Sequence, residues 1–354
     1  MLVSAIVAVA EPSSGVEGGE EHLPVMGATP SGGPLACAEI LGQPVVERMI
    51  QRLQRSTVVK NISLVTPDGI PAPAKSALRR RITRLGGSRL VLEPMSRWAL
   101  SDALKQQAQG GTDKLLLIRL GAYVEFDLDD LLQFHIESGG PVTRVHDHEG
   151  PLDMWMIDVG SACSSAGFGR LAIGDLGSGI PYLSKGYVNR LKDARDLRRL
   201  VVDAFLGRCA IAPGGRERKP GVWIEESARV HRSVRIVAPA YIGGATKVQA
   251  SALITRFSSV EHHCEVGAGT AVKGSTILPY TRLGKSLCVA RSLVDGNRLT
   301  HLGRNISVEV ADPNLLRRTA PAEPAQTKVP LFAAWRMRAS EAISGSLNFS
   351  EGEL

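Results

Sequence analysis

The chain has 354 residues, 22% of them charged, and its formal net charge at pH 7 is +7. This length allows two or three domains with a sizeable core, and the lack of long apolar runs leads us to expect no transmembrane segment. The positive charge fits either anionic ligands or, as we expect, solvated helix faces and a basic linker. Since no nucleic-acid-binding motif accompanies the basic clusters, we expect no nucleic-acid partner.

The five cysteines bear on the compartment of the protein. They are far apart along the chain and form no CxxC pair. This spacing argues against both a disulfide framework and a zinc site, so we expect a reducing, cytoplasmic environment. Residues 1–10 are apolar but lack the positively charged start of a signal peptide, and we interpret them as a first buried strand.

Strands and helices are expected to alternate through the N-terminal half of the chain. In chain order, the predicted strands cover residues 3–10, 62–66, 89–92, 115–120, 142–145 and 154–159, and the predicted helices cover 45–55, 74–85, 96–108 and 127–138. A long loop rich in Gly, Pro, Ser and Glu occupies residues 11–34. The alternation predicts an α/β domain with a mainly parallel sheet, covered on both faces, at residues 1–215.

A six-residue rhythm follows in the C-terminal half. Ten aliphatic residues recur at every sixth position. Nine of them are followed, four positions later, by a small or β-branched residue such as Ala240 or Thr270. A period of six fits neither an α-helix nor a heptad, whereas three short strands per coil of a parallel β-helix use it directly. The ten aliphatic residues are Ile224, Val230, Ile236, Ile242, Val248, Ile254, Val260, Val266, Val272 and Leu278.

This pattern resembles the hexapeptide-repeat family of left-handed parallel β-helices, and Ile242-Gly243 matches the Ile-Gly start of that repeat. The register slips by one before Leu283 and again before Leu302 and Val308, and we place the β-helix at residues 222–310. Residues 311–354 are interpreted as a Pro- and Ala-rich linker, a short amphipathic helix at 331–343 and a tail.

Three segments of the N-terminal half carry a second resemblance. Residues 41–53 contain a Gly-x-Pro before a helix, residues 115–135 contain a strand, a turn and a helix, and residues 187–197 follow later. They resemble the corresponding segments of sugar-phosphate nucleotidyltransferases, such as GDP-mannose and glucose-1-phosphate pyrophosphorylases, which often carry a C-terminal hexapeptide β-helix. The resemblance implies a Rossmann-like, nucleotidyltransferase-like domain followed by the β-helix, and a homo-oligomer.

In that family a sugar-1-phosphate attacks a nucleoside triphosphate held by a basic loop and by Mg²⁺ on aspartates. Here residues 11–21 carry four carboxylates and no Arg or Lys. The resemblance puts Gly121 and Arg190 where the two metal aspartates belong, and Lys192 where a glycine belongs. We therefore predict that the domain does not make sugar nucleotides, and we expect Mg²⁺ only if the activity survives.

The acidic residues near the aligned metal turn have another interpretation. Glu125, Asp127 and Asp129 fit the N-terminus of a helix, where negative charge is favourable. In place of Mg²⁺, Lys185, Arg190 and Lys192 would offer cations for a nucleotide or a sugar phosphate.

Three hypotheses of function follow. The first is a catalytically inactive homologue that regulates or scaffolds sugar-nucleotide or polysaccharide biosynthesis, with a nucleotidyltransferase or glycosyltransferase as possible partner. The second is an active nucleotidyltransferase with displaced catalytic groups. The third is a hexapeptide acyltransferase, for which a histidine on a coil, His262 or His263, would serve as general base.

Overall fold

The computed structural model describes residues 2–9, 29, 34–66, 89–94, 100–164, 176, 179–304 and 306–319. The loop at 11–21, the predicted helix at 74–85 and the predicted amphipathic helix at 331–343 lie outside the described residues. Met1–Thr319 belongs to one compact unit. Among the described residues, no helix is long and apolar enough to cross a membrane.

A mixed sheet flanked by helices forms the first part of the chain. In chain order its elements are β1 (Val3–Val9), a 3-10 helix (Leu35–Cys37), β2 (Glu39–Ile40), β3 (Gln43–Pro44), α1 (Val45–Arg55), β4 (Val59–Thr66), β5 (Arg89–Pro94), α2 (Leu100–Gln109), β6 (Lys114–Leu120), β7 (Tyr123–Val124), α3 (Leu128–Ser138), β8 (Val142–Asp147), β9 (Gly150–Asp158), α4 (Val159–Ser164), β10 (Ile180–Leu183), β11 (Val188–Asn189) and α5 (Ala194–Phe205). Within the described ranges the main sheet has seven strands in the order β10-β8-β9-β6-β1-β4-β5.

Strands β6, β1, β4 and β5 run parallel, and β9 is antiparallel to both β6 and β8. Every residue of β1 is buried, as expected of a central strand covered on both faces. Ile6 packs with α2 on one face of the sheet, and Val7 belongs to the larger core with α1, α3 and α5 on the other. The predicted α/β fold class is therefore confirmed.

The β-helix occupies the second part of the chain. Its strands are β12 (Arg216–Lys219), β13 (Val222–Ile224), β14 (Arg229–Val230), β15 (Arg235–Ile236), β16 (Ala240–Ile242), β17 (Lys247–Val248), β18 (Leu253–Ile254), β19 (Ser258–Val260), β20 (Glu265–Val266), β21 (Ala271–Lys273), β22 (Thr276–Ile277), β23 (Thr281–Leu283), β24 (Cys288–Ala290), β25 (Ser292–Asp295), β26 (Arg298–His301), β27 (Ile306–Glu309) and β28 (Leu316–Arg318). Three parallel ladders, which begin at β13, β14 and β15, form the faces of the coils within the described residues.

The register of the ladders confirms the six-residue rhythm. Ile224 pairs with Ile242 and Ile242 with Val260, so each aliphatic residue lies over the equivalent residue of the next coil. All three belong to one apolar cluster inside the coils or pack against it. Because each coil covers its neighbour, the burial is continuous along the axis.

The small residues of the repeat bond to the neighbouring coil. Thr246 and Thr270 are fully buried, and their hydroxyls donate to the carbonyls of Glu261 and Gly284 at 2.6 Å. Ser258 bonds to the carbonyl of Val272 at 3.3 Å in the same way. A larger side chain at these positions would displace both the packing and the hydrogen bond.

The predicted position of the first register slip was wrong by one coil face. Val260 pairs with Ile277, not with Leu278. The repeat therefore loses one residue just before Ile277, and not just before Leu283 as predicted. Ile277 lies in the interior of the β-helix, whereas Leu278 belongs to the core of the α/β part. Leu278 is thus apolar because it packs against the neighbouring part of the chain.

The interpretation of Leu302 and Val308 as further coil positions was also wrong. Strands β25, β26 and β27 are successive antiparallel neighbours, so the chain leaves the coil path after Asp295. Strand β28 then pairs antiparallel to β23 and covers the open side of the last coil. A six-residue spacing cannot distinguish an extra coil from a hairpin whose strands have similar length.

The outer surface of the β13-β16-β19-β22-β25 ladder packs against the α/β part. Tyr241 and Leu293 are fully buried in the same core cluster as α1 and α5. Phe205 stacks on Trp223 with the ring centroids 5.8 Å apart. The buried Arg198 of α5 donates to the hydroxyl of Thr276 at 3.3 Å, so apolar and polar contacts both hold the two parts together.

Candidate functional site

The carboxyl edge of the sheet is where ligands usually bind in α/β folds. Here β6 ends at Leu120, and the following strand β7 pairs with β11 through Tyr123 and Asn189. This small ladder brings the turn at Gly121 close to the segment that begins at Arg190. The two segments that resemble the metal-binding segments of nucleotidyltransferases are therefore spatial neighbours.

Arg190 forms a bidentate ion pair with Asp147, at the end of β8. Its Nε donates to Oδ2 of Asp147 at 3.0 Å, and its Nη2 donates to Oδ1. Nη2 also donates to the carbonyl of Gly150 at 3.0 Å. Burial alone would raise the pKa of Asp147, but the hydrogen bonds from Arg190 outweigh it and hold that pKa below its usual value.

Local structure fixes the direction of this arginine. Asp193 caps α5 by accepting from the backbone amides of Arg195 and Asp196 at 2.8 and 3.0 Å. The buried Asn189 donates to the carbonyl of Asp196 and accepts from the amide of Leu191. These bonds hold the chain on both sides of Arg190, as expected of a short segment between a strand and a capped helix.

Lys192 lies beside the same hairpin. Its Nζ is 3.0 Å from Oε2 of Glu149, with both side chains about half exposed. Arg190 and Lys192 are thus already paired with carboxylates of the β8–β9 hairpin. The guanidinium of Arg190 binds both oxygens of Asp147, so among the described residues of this edge that carboxylate is not available to Mg²⁺.

The acidic residues after β7 serve the next helix. Asp127 accepts from the backbone amides of Asp129 and Asp130 at 2.9 and 3.3 Å, which makes it the N-cap of α3. Glu125 accepts from the hydroxyl of Tyr123 at 2.8 Å and from the amide of Ala210 at 2.5 Å. The expectation of a helix N-terminus is confirmed for Asp127 and Asp129 and was wrong for Glu125, which precedes the cap and bonds to Tyr123 and Ala210 instead.

Lys185 lines a cavity of about 710 Å³ together with Arg52, Arg55, Tyr182 and residues 125–130. Neither Arg190 nor Lys192 lines this cavity. The three predicted cations therefore do not converge on this cavity.

A second cluster of charged residues lies near the end of β6, on the face of the sheet that packs against α2. The buried carboxylate of Asp153 is 3.8 Å from Arg119 and 3.5 Å from Arg144. Burial raises the pKa of Asp153, although both arginines oppose this. The guanidinium of Arg144 also lies 5.3 Å from the centroid of the Trp155 ring.

His262 lies at the junction between the β-helix and the α/β part. Its Nδ1 is bonded to Glu39 of β2, and its Nε2 is 2.8 Å from Oε2 of Glu225. Burial would lower the pKa of His262, but the two carboxylates outweigh it and raise the pKa to about 10. An imidazole that is protonated at neutral pH and bonded at both nitrogens does not suit a general base.

The neighbouring Glu261 is fully buried at the same junction. Its two oxygens accept from the backbone amides of Leu41 and Gly42, each at 3.0 Å. Burial, and next the charge of Glu39, raise the pKa of Glu261 to about 8. Glu261 and His262 thus attach the β2–β3 hairpin to the side of the β-helix.

His263, the other candidate base, stacks on Tyr280 with the ring centroids 4.8 Å apart and the planes nearly parallel. Burial, and next the charge of His262, lower the pKa of His263. It lies on the turn before β20.

Sequence reasoning missed the carboxylates that surround His262. Glu39, Glu225 and Glu261 are separated by long stretches of chain, and no short motif contains them. Glu261 directly follows the inward-pointing Val260, where the repeat places an outward side chain. A charged residue is ordinary at a solvent-exposed outward position, so the sequence carries no sign that this face is covered.

Comparison with solved structures finds distant likenesses. HddC from Yersinia pseudotuberculosis aligns at 12% identity and a TM-score of 0.40, over 56% of this chain and 97% of that chain. The same protein complexed with GMP-PN gives 11% identity at a TM-score of 0.40, with the same coverage.

A third structure is a putative glucose-1-phosphate thymidylyltransferase from Bacillus anthracis in complex with a sucrose. It aligns at 12% identity and a TM-score of 0.40, over 60% of this chain and 97% of that chain. The sequence itself matches no protein-family model and no curated protein. The fold class of the chain rests on its own strand pairing.

Proposed function

We propose that the chain is a catalytically inactive, nucleotidyltransferase-like protein of the cytoplasm that regulates or scaffolds enzymes of sugar-nucleotide or polysaccharide biosynthesis. The observation that carries the proposal is the ion pair of Arg190 with Asp147. A nucleotidyl transfer needs cations that point at the phosphate oxygens where charge develops. Arg190 is held by a carboxylate and two carbonyls and has little freedom to do this.

The way the two parts join supports a scaffolding role. Glu261 and His262 of the β-helix bond to the β2–β3 hairpin, and Arg198 of α5 bonds to the ladder beside them. Buried polar contacts of this kind fix the relative orientation of two parts more strictly than apolar packing alone. A rigid body with an exposed β-helix suits the assembly of partners, including a second copy of the chain.

One observation favours the alternative of an active nucleotidyltransferase with displaced groups. Arg119 and Arg144 flank the carboxylate of Asp153 near the end of β6. If a triphosphate bound there, these arginines would supply cations that the aligned positions lack. Release of pyrophosphate from a nucleoside triphosphate and a sugar-1-phosphate separates the two functions, because only the alternative predicts it.

The regulatory role is tested with the intact chain as bait. We expect it to recover a nucleotidyltransferase or a glycosyltransferase whose rate changes when the purified chain is added. Recovery of unrelated proteins alone, or a recovered enzyme whose rate stays the same, would contradict the proposal.

A further inference from the structure

A small basic pocket lies beside helix α1. Its volume is about 280 Å³, and it is lined by α1, by the β2–β3 hairpin, by Tyr123 and by residues 210–214. Among the described residues that line it, three are arginines and none is acidic: Arg48, Arg52 and Arg55. The pocket therefore concentrates positive charge in a concave site.

The described hydrogen bonds of Arg48 and Arg52 go to carbonyl oxygens and not to carboxylates. Arg48 donates to the carbonyls of Ile40 and Leu41 at 2.8 and 3.1 Å. Arg52 donates to the carbonyl of Phe126 at 3.1 Å. In the part of the chain that the structure describes, no ion pair joins these arginines or Arg55 to a carboxylate. Carbonyls orient a guanidinium but leave it available to an anion.

Arg48 provides a further sign that the site is built for a ligand. Its side chain is half-buried, and its Nε, which solvent does not reach, has no hydrogen-bond partner among the described residues. Burial of the charge lowers the pKa of Arg48, so the protein bears a cost for placing it there. An anion in the pocket would offset that cost.

We propose that this pocket binds the phosphoryl group of a small soluble ligand, with Arg48, Arg52 and Arg55 providing the charge. Gln43 and Gln51 line the same pocket and add neutral hydrogen-bond donors for phosphoryl oxygens. Its volume suits a phosphoryl group with a small attached body, and guanidinium groups match the geometry of phosphate oxygens.

The position of the pocket gives such a ligand a structural effect. Residues 210–214 connect α5 to β12 and thus lead from the α/β part into the β-helix. The amide of Gly214 donates to the carbonyl of Leu41 at 2.9 Å, and Arg48 donates to the carbonyl of Ala212 at 3.3 Å. A bound phosphoryl group would hold this connection to α1. This inference goes beyond the proposed function and does not depend on whether the carboxyl edge transfers nucleotides.

The test measures binding of inorganic phosphate and of pyrophosphate to the intact chain by calorimetry at low ionic strength, together with the shift of the melting temperature. We expect Arg55→Ala to weaken binding by about tenfold, since Arg55 is exposed and its loss leaves the fold intact. Arg52→Ala should weaken it at least as much. The matched control is Arg232→Ala, an exposed arginine of the β-helix, which should leave binding unchanged.

A variant that should strengthen phosphate binding provides a further test. Glu125 lines the adjoining cavity and accepts from Tyr123 and Ala210 through Oε1, which a glutamine can also do. Glu125→Gln should therefore strengthen phosphate binding by several-fold, because it removes a nearby negative charge and keeps the hydrogen bonds.

Vesicles that contain an anionic phospholipid form a second arm, because a lipid headgroup carries the same phosphoryl chemistry. Binding of phosphate or pyrophosphate that is lost in Arg52→Ala supports the proposal, whereas binding of the vesicles alone would assign the site to a lipid headgroup and contradict a soluble ligand. Binding in neither arm, or equal binding by the wild type, Arg52→Ala and Arg55→Ala, would overturn the proposal.

Discussion

Arg190 donates from Nε to Oδ2 of Asp147 over 3.0 Å, and this bond joins the end of β11 to the hairpin between β8 and β9. Side-chain exposure is 15% for Arg190 and 4% for Asp147, so water screens the pair only weakly. The pair gives the carboxyl edge of the sheet a fixed positive group where the resemblance to nucleotidyltransferases expects a metal carboxylate.

Removal of this arginine should destabilise the protein. Arg190→Ala leaves the buried carboxylate of Asp147 without its main partner, and we expect the free energy of unfolding to fall by about 3 kcal/mol. The exposed pair of Lys192 with Glu149 provides the control, since Lys192→Ala should cost less than about 1 kcal/mol. Urea unfolding followed by circular dichroism measures both; equal costs would show that the Arg190 pair is not special.

The same pair should make stability depend on acid pH. Because the folded-state pKa of Asp147 is lower than the ordinary value of 3.8, its contribution is present above that value and is lost as pH falls through the lower one. In Arg190→Ala this acid-side loss should be smaller than in the wild type.

The cluster around His262 predicts a loss of stability on the alkaline side. The pKa of His262 is about 10 and that of Glu261 about 8, both above the values of 6.5 and 4.5 for unperturbed groups. Both groups bind protons more tightly in the folded chain. Their contribution to the free energy of unfolding is therefore present at low pH and is lost as pH rises through about 8 and about 10.

A glutamine at position 262 tests this dependence. His262→Gln should lower the free energy of unfolding at neutral pH by about 3 kcal/mol and flatten its decline between pH 6.5 and about 10. The matched control is His231→Gln, an exposed histidine on another coil, which should leave the pH profile unchanged. A wild-type profile that is flat over this interval would refute the assignment of a protonated His262.

Two glycines with positive φ allow the cost of a steric contact to be compared with the cost of backbone strain alone. Gly42 has φ of +93°, and a Cβ added there would lie 2.6 Å from the Tyr241 hydroxyl and 2.8 Å from Oε1 of Glu225. Gly139 has φ of +65°, and a Cβ there would meet no atom within 4 Å. We expect Gly139→Ala to cost about 1 kcal/mol and Gly42→Ala about 3 kcal/mol or more. Thermal unfolding of both variants gives the comparison, and costs of similar size would contradict a close approach at Gly42.

How much the sequence could predict differs between the two parts of the chain. The helix at Val45–Arg55 and the cap at Asp127 follow from local signals, namely apolar spacing and an acidic residue before a helix. The rhythm from Ile224 to Val272 predicted the β-helix, because each coil repeats the same contacts. Such short-range regularities can be recognised in the sequence without a structure.

The remaining features depend on distant parts of the chain. Leu278 was misassigned because it packs against α1 and α5, which a repeat pattern does not record. Asp147 is 43 residues away from its partner Arg190 in the chain, and Glu39 is 223 residues away from its partner His262. Only the strand order and the docking of the β-helix bring these groups together, so their protonation and their lack of freedom could not be read from local patterns.

The most direct test of the account is an assay of nucleotidyl transfer. The purified chain is incubated with GTP, dTTP or UTP, with Mg²⁺ and with mannose-1-phosphate or glucose-1-phosphate, and release of pyrophosphate is followed beside an active nucleotidyltransferase. We expect no release above the background without protein, because the ion pair with Asp147 keeps Arg190 from binding the triphosphate. Steady release of pyrophosphate that scales with the amount of chain, and that is lost in Asp153→Asn, would contradict the account and establish the displaced site beside Arg119 and Arg144.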